Sequence, residues 1–112
     1  MLAADGPTWA RAGLLLAVSP LLEEAVFRAG LHEWLLRRGV SKPLANVSTA
    51  LVFAAVHALA RLQWAALAVA LPALAIGALY GRWRRLRWCV LAHAAMNAAW
   101  LGWHLLTGGT LT

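Results

Sequence analysis

Charged side chains are scarce in this sequence. Asp, Glu, Lys and Arg together make up 12% of its 112 residues, whereas a water-soluble domain carries roughly a quarter. None of the four occurs in residues 43–60, 62–81 or 88–112. Because a helix needs about 20 mostly apolar residues to cross a bilayer, these runs argue against a water-soluble domain and predict that lipid is the solvent.

Cysteine and acidic residues are also scarce. Cys89 is the single cysteine, which excludes a disulfide within the chain. Four acidic residues stand against ten basic ones, and the resulting charge of +6 is of the kind that suits nucleic acid. The basic residues, however, are clustered between uncharged runs, where the loops of a membrane protein lie. We therefore expect a lipid bilayer, and no nucleic acid, as partner.

Ala and Leu are abundant, with few β-branched residues among them, and this composition favours helix over strand. Four helices are predicted, over residues 9–38, 43–60, 63–81 and 86–106. Pro20 removes a backbone donor and is expected to kink or restart the first of them. The predicted fold is an all-α, polytopic membrane bundle of about four transmembrane helices. It lies between a short lead-in at residues 1–8 and a tail at residues 107–112.

The basic residues predict how such a bundle is oriented. Seven of the ten lie in the segments 37–42 and 82–87, which join the predicted helices. With an even number of spans both segments face the same side, which the positive-inside rule identifies as the cytoplasm.

Three charged residues interrupt the first helix near its middle. Placing a charge there costs roughly 2.5–3.5 kcal/mol on insertion scales, so Glu23, Glu24 and Arg28 need protein partners or water. Glu24 and Arg28 are four residues apart, acid first, which is the favoured order for a helical ion pair. Glu23 points about 100° away from Glu24 and lacks that partner, so it is a candidate base for activating water.

Two further polar pairs stand at one-face spacing on apolar helices. Phe53 and His57 are four residues apart in the second helix, and His93 and Asn97 are four apart in the fourth. Taken alone, each pair could serve only to bond one helix to another. Together with the carboxylates they could activate water and donate to an oxyanion, which suits hydrolysis of an amide.

These three patterns, in this order, resemble the motifs of the CPBP family. The family includes the CAAX prenyl proteases and the bacterial abortive infection and bacteriocin self-immunity proteins. Its Glu-Glu-x-x-x-Arg, Phe-x-x-x-His and His-x-x-x-Asn motifs are similar to Glu23–Arg28, Phe53–His57 and His93–Asn97 here. The resemblance covers about residues 12–102 and implies a CAAX protease-like membrane domain over residues 9–106.

The resemblance also implies a function and a role for each motif residue. The function is that of a glutamate-dependent intramembrane endopeptidase that works without a cofactor. Glu23 with His57 would activate water, and His93 with Asn97 would form the oxyanion hole. Supporting or substrate-binding roles fall to Glu24, Arg28, Phe27 and Phe53.

The same resemblance implies a setting and a substrate. We expect a multi-pass protein of a bacterial or archaeal plasma membrane that cleaves a membrane-anchored or C-terminally tagged protein near its C-terminus. Small members of the family occur beside C-terminal sorting-tag systems. Many members carry further helices before the first motif, so assembly with a second copy or another chain is also an expectation.

Three alternatives stay open. His57, His93 and Glu23 could supply the His₂Glu ligand set of a zinc protease, although the helical His-Glu-x-x-His signature is not present. Cys89, one turn before His93, could act as a nucleophile activated by that imidazole. A non-catalytic immunity or scaffold protein would keep the polar cluster for packing alone.

Two expectations concern depth in the bilayer. Counted from the basic segments at 1.5 Å per residue, Glu23 and His57 lie about 20 Å deep and His93 only about 9 Å. The three are therefore not expected at one level unless the helices tilt. His32 and Glu33 lie near a predicted helix end, and we interpret both as interfacial side chains.

Overall fold

The computed structural model describes residues 8–108, and within this part of the chain every regular element is helical. Helix α1 covers residues 8–37 in five consecutive segments, Thr8–Gly13, Leu14–Val18, Ser19–Glu24, Ala25–His32 and Glu33–Arg37. Helix α2 is Lys42–Arg61. Helix α3 begins as a 3₁₀ turn at Trp64–Val69 and continues as an α-helix over Ala70–Trp83. Helix α4 is Leu86–Leu106. The prediction of an all-α fold is confirmed.

The boundaries of α2 and α3 follow from local chemistry. The hydroxyl of Ser41 accepts from the backbone N–H of Leu44, and Pro43 stands in the first turn, where its missing N–H costs nothing. Leu62 and Arg84 follow the two helices with φ of 53°, the left-handed conformation that ends many helices. These caps set the two short joints that fold the chain back on itself.

Pro20 does not break α1. The backbone stays helical through it, and π-helical turns over Leu14–Val18 give way to the α-helical segment Ser19–Glu24. Pro20 is at the start of that segment, and it has no N–H to donate to a carbonyl of the preceding π-helical turns. The predicted kink or restart is therefore observed as a change in hydrogen-bond pattern within a continuous helix.

The buried face of α1 repeats every four residues, at Pro20, Glu24, Arg28 and His32. In an α-helix a step of four residues turns about 40° beyond a full turn, which would carry His32 off this face. The wider π-helical turns over Ala25–His32 take up that rotation. The interpretation of His32 as an interfacial side chain is wrong, since its side chain is fully buried.

The helices pack so that α1 reaches all the others. Helix α2 lies on α3, and α3 lies on α4. The segments of α1 from Leu14 to Glu24 contact α4, and Ala25–His32 contacts α2, α3 and α4. The middle of α1, with its charged residues, is therefore at the centre of the bundle.

Small side chains allow the close contact between α2 and α3. Ala50, Phe53 and Ala73 form one buried cluster, against which Phe27 packs. One helix turn further along, the side chain of Asn46 occupies the place that a Cβ on Gly77 would need, and its Nδ2 donates to the carbonyl of Leu74 at 3.1 Å. Gly77 is therefore needed because a larger residue would collide with the Asn46 side chain, and not because of its backbone conformation.

The outer surface is apolar, with many large side chains exposed along the helices, an arrangement that marks membrane contact. Helix α2 and the Trp64–Trp83 stretch are long and apolar enough to cross a membrane. Within the described residues these are two helices by length and composition, so the predicted total of four spanning helices is not reached in this way. Helices α1 and α4, which do not meet that measure, carry Glu23, Glu24, Arg28, His93 and Asn97, whereas His57 lies on α2.

Candidate active site

Glu24 lies at the centre of a buried polar cluster. Its Oε1 is 3.1 Å from Nε of Arg28, and its Oε2 is 2.6 Å from Nδ1 of His93. Arg28 also donates from Nη2 to the carbonyl of Ala73 on α3, at 2.8 Å. Neither Glu24 nor Arg28 has any exposed surface, and charges so buried persist only when paired and hydrogen-bonded. The ion pair predicted from the four-residue spacing is present.

Glu23 faces a different environment from its neighbour. Its side chain is 30% exposed, and its Oε1 lies 3.3 Å from Nε2 of His57 and 3.8 Å from Nε2 of His93. Helices α1, α2 and α4 each contribute one of these three groups. The expected difference in depth is wrong, because the packing of the helices brings both imidazoles to the Glu23 carboxylate.

The second nitrogen of each imidazole fixes its orientation. Nδ1 of His57 is 2.8 Å from the carbonyl oxygen of Phe53, and Nδ1 of His93 faces the Glu24 carboxylate. Because both oxygens are acceptors, each Nδ1 carries a hydrogen. Each Nε2 is therefore the atom directed at Glu23, in a geometry where one carboxylate and two imidazoles can exchange protons with a bound water.

The remaining motif residues lie at the edge of this cluster. Asn97 is one turn beyond His93, and its Nδ2 donates to the carbonyl of Leu15 on α1 at 2.7 Å. Phe53 is buried, with its ring 4.2 Å from that of His57 and 4.9 Å, edge to face, from that of Phe27. The structure thus brings five predicted residues into one cluster and sets Asn97, Phe27 and Phe53 around it.

Cys89 lies close enough to Glu24 and Arg28 to interact with them electrostatically, but it is not accessible. Its side chain is fully buried beside Ile76 and Tyr80, and its Sγ is 3.9 Å from the Ile76 carbonyl. A nucleophilic cysteine needs access to its substrate, whereas Cys89 has the surroundings of a packed apolar residue.

Within residues 8–108, which the structure describes, no group of three or more His, Cys, Asp or Glu side chains has a geometry suited to a metal ion. This holds for the His₂Glu set of His57, His93 and Glu23 as these side chains are placed here.

A second polar cluster, which the sequence did not predict, is centred on Glu33. We call it the Glu33 cluster, and its members are Glu33, Arg37, Tyr80 and Arg84. Arg84 donates to Oε1 at 2.9 Å and to Oε2 at 2.5 Å, and the Tyr80 hydroxyl donates to Oε1 at 2.5 Å. Arg37 donates to Oε2 at 2.8 Å. The i, i+4 spacing of Glu33 and Arg37 was the one signal for it in the sequence.

The Glu33 cluster fixes the joint between α3 and α4. The hydrogen bonds that Arg84 donates to Glu33 raise the pKa of Arg84 above its ordinary value. They also hold Arg84 at a φ of 53°, a value that is uncommon for residues other than glycine. Since Glu33 lies on α1, the cluster ties that joint to the helix that carries Glu23 and Glu24.

A family model described as type II CAAX prenyl endopeptidase Rce1-like matches residues 5–99. The chain belongs to this family. The matched span contains Glu23, His57, His93 and Asn97, so every motif residue of this Rce1-like chain lies inside it.

Membership confirms the predicted resemblance to the CAAX proteases and identifies a membrane-embedded protease family. No curated protein and no solved structure matches this Rce1-like chain.

Proposed function

We propose that this Rce1-like chain is an intramembrane endopeptidase in which the Glu23 carboxylate activates the attacking water. The observation that carries the proposal is the convergence of the Nε2 atoms of His57 and His93 on Glu23. Glu23 is also the partly exposed member of the adjacent glutamate pair, so water can reach it while Glu24 is sealed from solvent.

In the proposed reaction, water attacks the carbonyl carbon of the scissile peptide bond and gives its proton to Glu23. The bond to nitrogen then breaks, and the leaving amine takes a proton from Glu23 or from His57 beside it. A carboxylate and an imidazole in contact can pass that proton between them. The step needs no redox partner, because the water supplies both the hydroxyl and the hydrogen that the products gain.

Stabilisation of the oxyanion is proposed for His93. Its Nδ1 is held by the Glu24 carboxylate, which orients the ring so that Nε2 is the atom placed to donate to the oxyanion. Asn97 uses one amide hydrogen on the Leu15 carbonyl, which leaves its second one for the oxyanion role that the family resemblance implies.

The proposed substrate is a membrane-anchored protein cut near its C-terminus. Support comes from the family, whose description is that of CAAX prenyl endopeptidases, and from the apolar rings of Phe27 and Phe53 beside His57. Such rings suit an apolar segment of substrate next to the scissile bond.

The setting proposed is a four-span bundle in a bacterial or archaeal plasma membrane. At 1.5 Å per residue, a helix of the length of α4 spans about 30 Å, and α1 is longer. Glu24 and Arg28 at the middle of α1 face protein, which removes much of the cost of placing that helix in lipid. Both basic joints would then face the cytoplasm.

Cleavage in cells tests this proposal. Candidate membrane-anchored substrates are expressed with the wild type, with Glu23→Gln, and with Glu33→Gln as a matched loss of one carboxylate outside the active site. We expect cleavage with the wild type and with Glu33→Gln, and none with Glu23→Gln, at equal abundance in the membrane. Normal processing by Glu23→Gln would instead support a non-catalytic immunity or scaffold protein.

A further inference from the structure

A cavity of about 670 Å³ lies between the beginning of α2 and the end of α3, away from the active site. We call it the α2–α3 cavity. Its lining residues are Lys42, Pro43, Asn46, Gly77, Ala78, Gly81, Arg82 and Trp83. The antiparallel packing of the two helices brings both basic joints of the chain to this cavity.

The charged residues that line the α2–α3 cavity are all positive. Lys42 and Arg82 contribute a cation each, and no carboxylate is among the lining residues. In the described part of the chain, Glu23 and Glu24 are engaged in the active site, and Glu33 is bound by Arg37 and Arg84. The two cations therefore lack an acidic partner within residues 8–108, and the positive end of α2 adds to their attraction for an anion.

The α2–α3 cavity also adjoins an apolar surface. Trp83 lines it and lines a second cavity as well, of about 430 Å³, together with Leu79, Trp88 and Ala92. Trp side chains at helix ends lie at the level of lipid headgroups. A cavity lined by two cations thus lies beside a Trp side chain typical of headgroup level, with a mostly apolar cavity next to it.

We propose that the α2–α3 cavity binds the phosphate of an anionic phospholipid. Lys42 and Arg82 contact the phosphate, and an acyl chain lies against Leu79 and Trp88. Basic pockets between helices at a membrane surface bind such headgroups, and the absence of a lining carboxylate excludes the repulsion that would oppose one. The proposal assigns a lipid site separate from the peptidase chemistry.

Lipid binding to the purified full chain in detergent tests the proposal by native mass spectrometry. The probes are dioleoylphosphatidylglycerol and, as the uncharged reference, dioleoylphosphatidylcholine. The double variant Lys42→Gln/Arg82→Gln is compared with Arg38→Gln/Arg85→Gln, which removes the same charge from joint residues outside the cavity. We expect roughly tenfold or more weaker binding of phosphatidylglycerol for the first variant only.

The variant Gly81→Leu tests whether lipid binding needs the space of the cavity or only its positive charge. A Cβ at Gly81 meets nothing within 4 Å, so the larger side chain fills the cavity while every charge is kept. We expect Gly81→Leu to lose selective binding of phosphatidylglycerol. Wild-type binding by Gly81→Leu, or equal losses in the two double variants, would overturn the site. Displacement of the lipid by an equal concentration of glycerol 3-phosphate would overturn a lipid as the ligand.

Discussion

At the scale of the residue, two adjacent glutamates have different surroundings. Glu24 is fully buried between Arg28 and His93, whereas Glu23 is partly exposed and meets two imidazoles through its Oε1. A helix turns by about 100° between successive residues, so neighbours in the sequence point to different sides. One carboxylate can then hold the cluster together while the other stays accessible to water.

This difference predicts that the same substitution, Glu to Gln, changes the stability of the protein at one position and not at the other. Glu24→Gln removes the partner of a buried cation, so we expect a loss of about 3–5 kcal/mol in the free energy of unfolding. Glu23→Gln leaves the Arg28 pair intact, and we expect it to unfold close to the wild type. Thermal unfolding in detergent micelles measures both. A Glu24→Gln protein as stable as Glu23→Gln would contradict the structural role of Glu24.

At the scale of the element, the structure of α1 departs from what the sequence pattern indicates. The observed helices α2, Lys42–Arg61, and α4, Leu86–Leu106, agree closely with the predicted ranges 43–60 and 86–106. The burial of His32 was not predictable from an α-helical period. It requires the π-helical turns over Ala25–His32, and these depend on packing against three other helices. The one sign of it in the sequence was the four-residue spacing of Pro20, Glu24, Arg28 and His32.

The contact between α2 and α3 supplies a prediction at the same scale. Gly77→Ala drives a Cβ into the Asn46 side chain, and we expect it to lower the free energy of unfolding by about 1–3 kcal/mol. Gly81→Ala on the same helix is the matched control, because its Cβ enters open space. We expect it to be neutral or mildly stabilising, since Ala is the better helix former.

A double-variant cycle in detergent identifies the cause. If the Asn46 contact is responsible, Asn46→Ala should remove most of the cost of Gly77→Ala. An unchanged cost in the Asn46→Ala background, or an equal loss for Gly81→Ala, would show that the close α2–α3 contact is not what Gly77 provides.

At the scale of the whole molecule, the site is formed by packing that the sequence indicates only through its motifs. The three polar patterns indicated residues that the fold brings together, and the spacing of the first predicted the Glu24–Arg28 pair. Depth counted along isolated helices separated His93 from Glu23, yet these side chains lie 3.8 Å apart. Counting residues assumes parallel helices of equal starting depth, and the bundle does not satisfy that assumption. The Glu33 cluster was missed for a similar reason, since Tyr80 and Arg84 approach Glu33 only through the fold.

The measurement that tests the central claim most directly is cleavage by the purified chain in liposomes after treatment with a metal chelator. Wild-type protein and Glu23→Gln are compared on one membrane-anchored peptide substrate. The account predicts that the wild type keeps its activity after chelation and that Glu23→Gln is slower by about 10²-fold or more. Equal rates for the two proteins, or activity lost on chelation and restored by zinc, would contradict it.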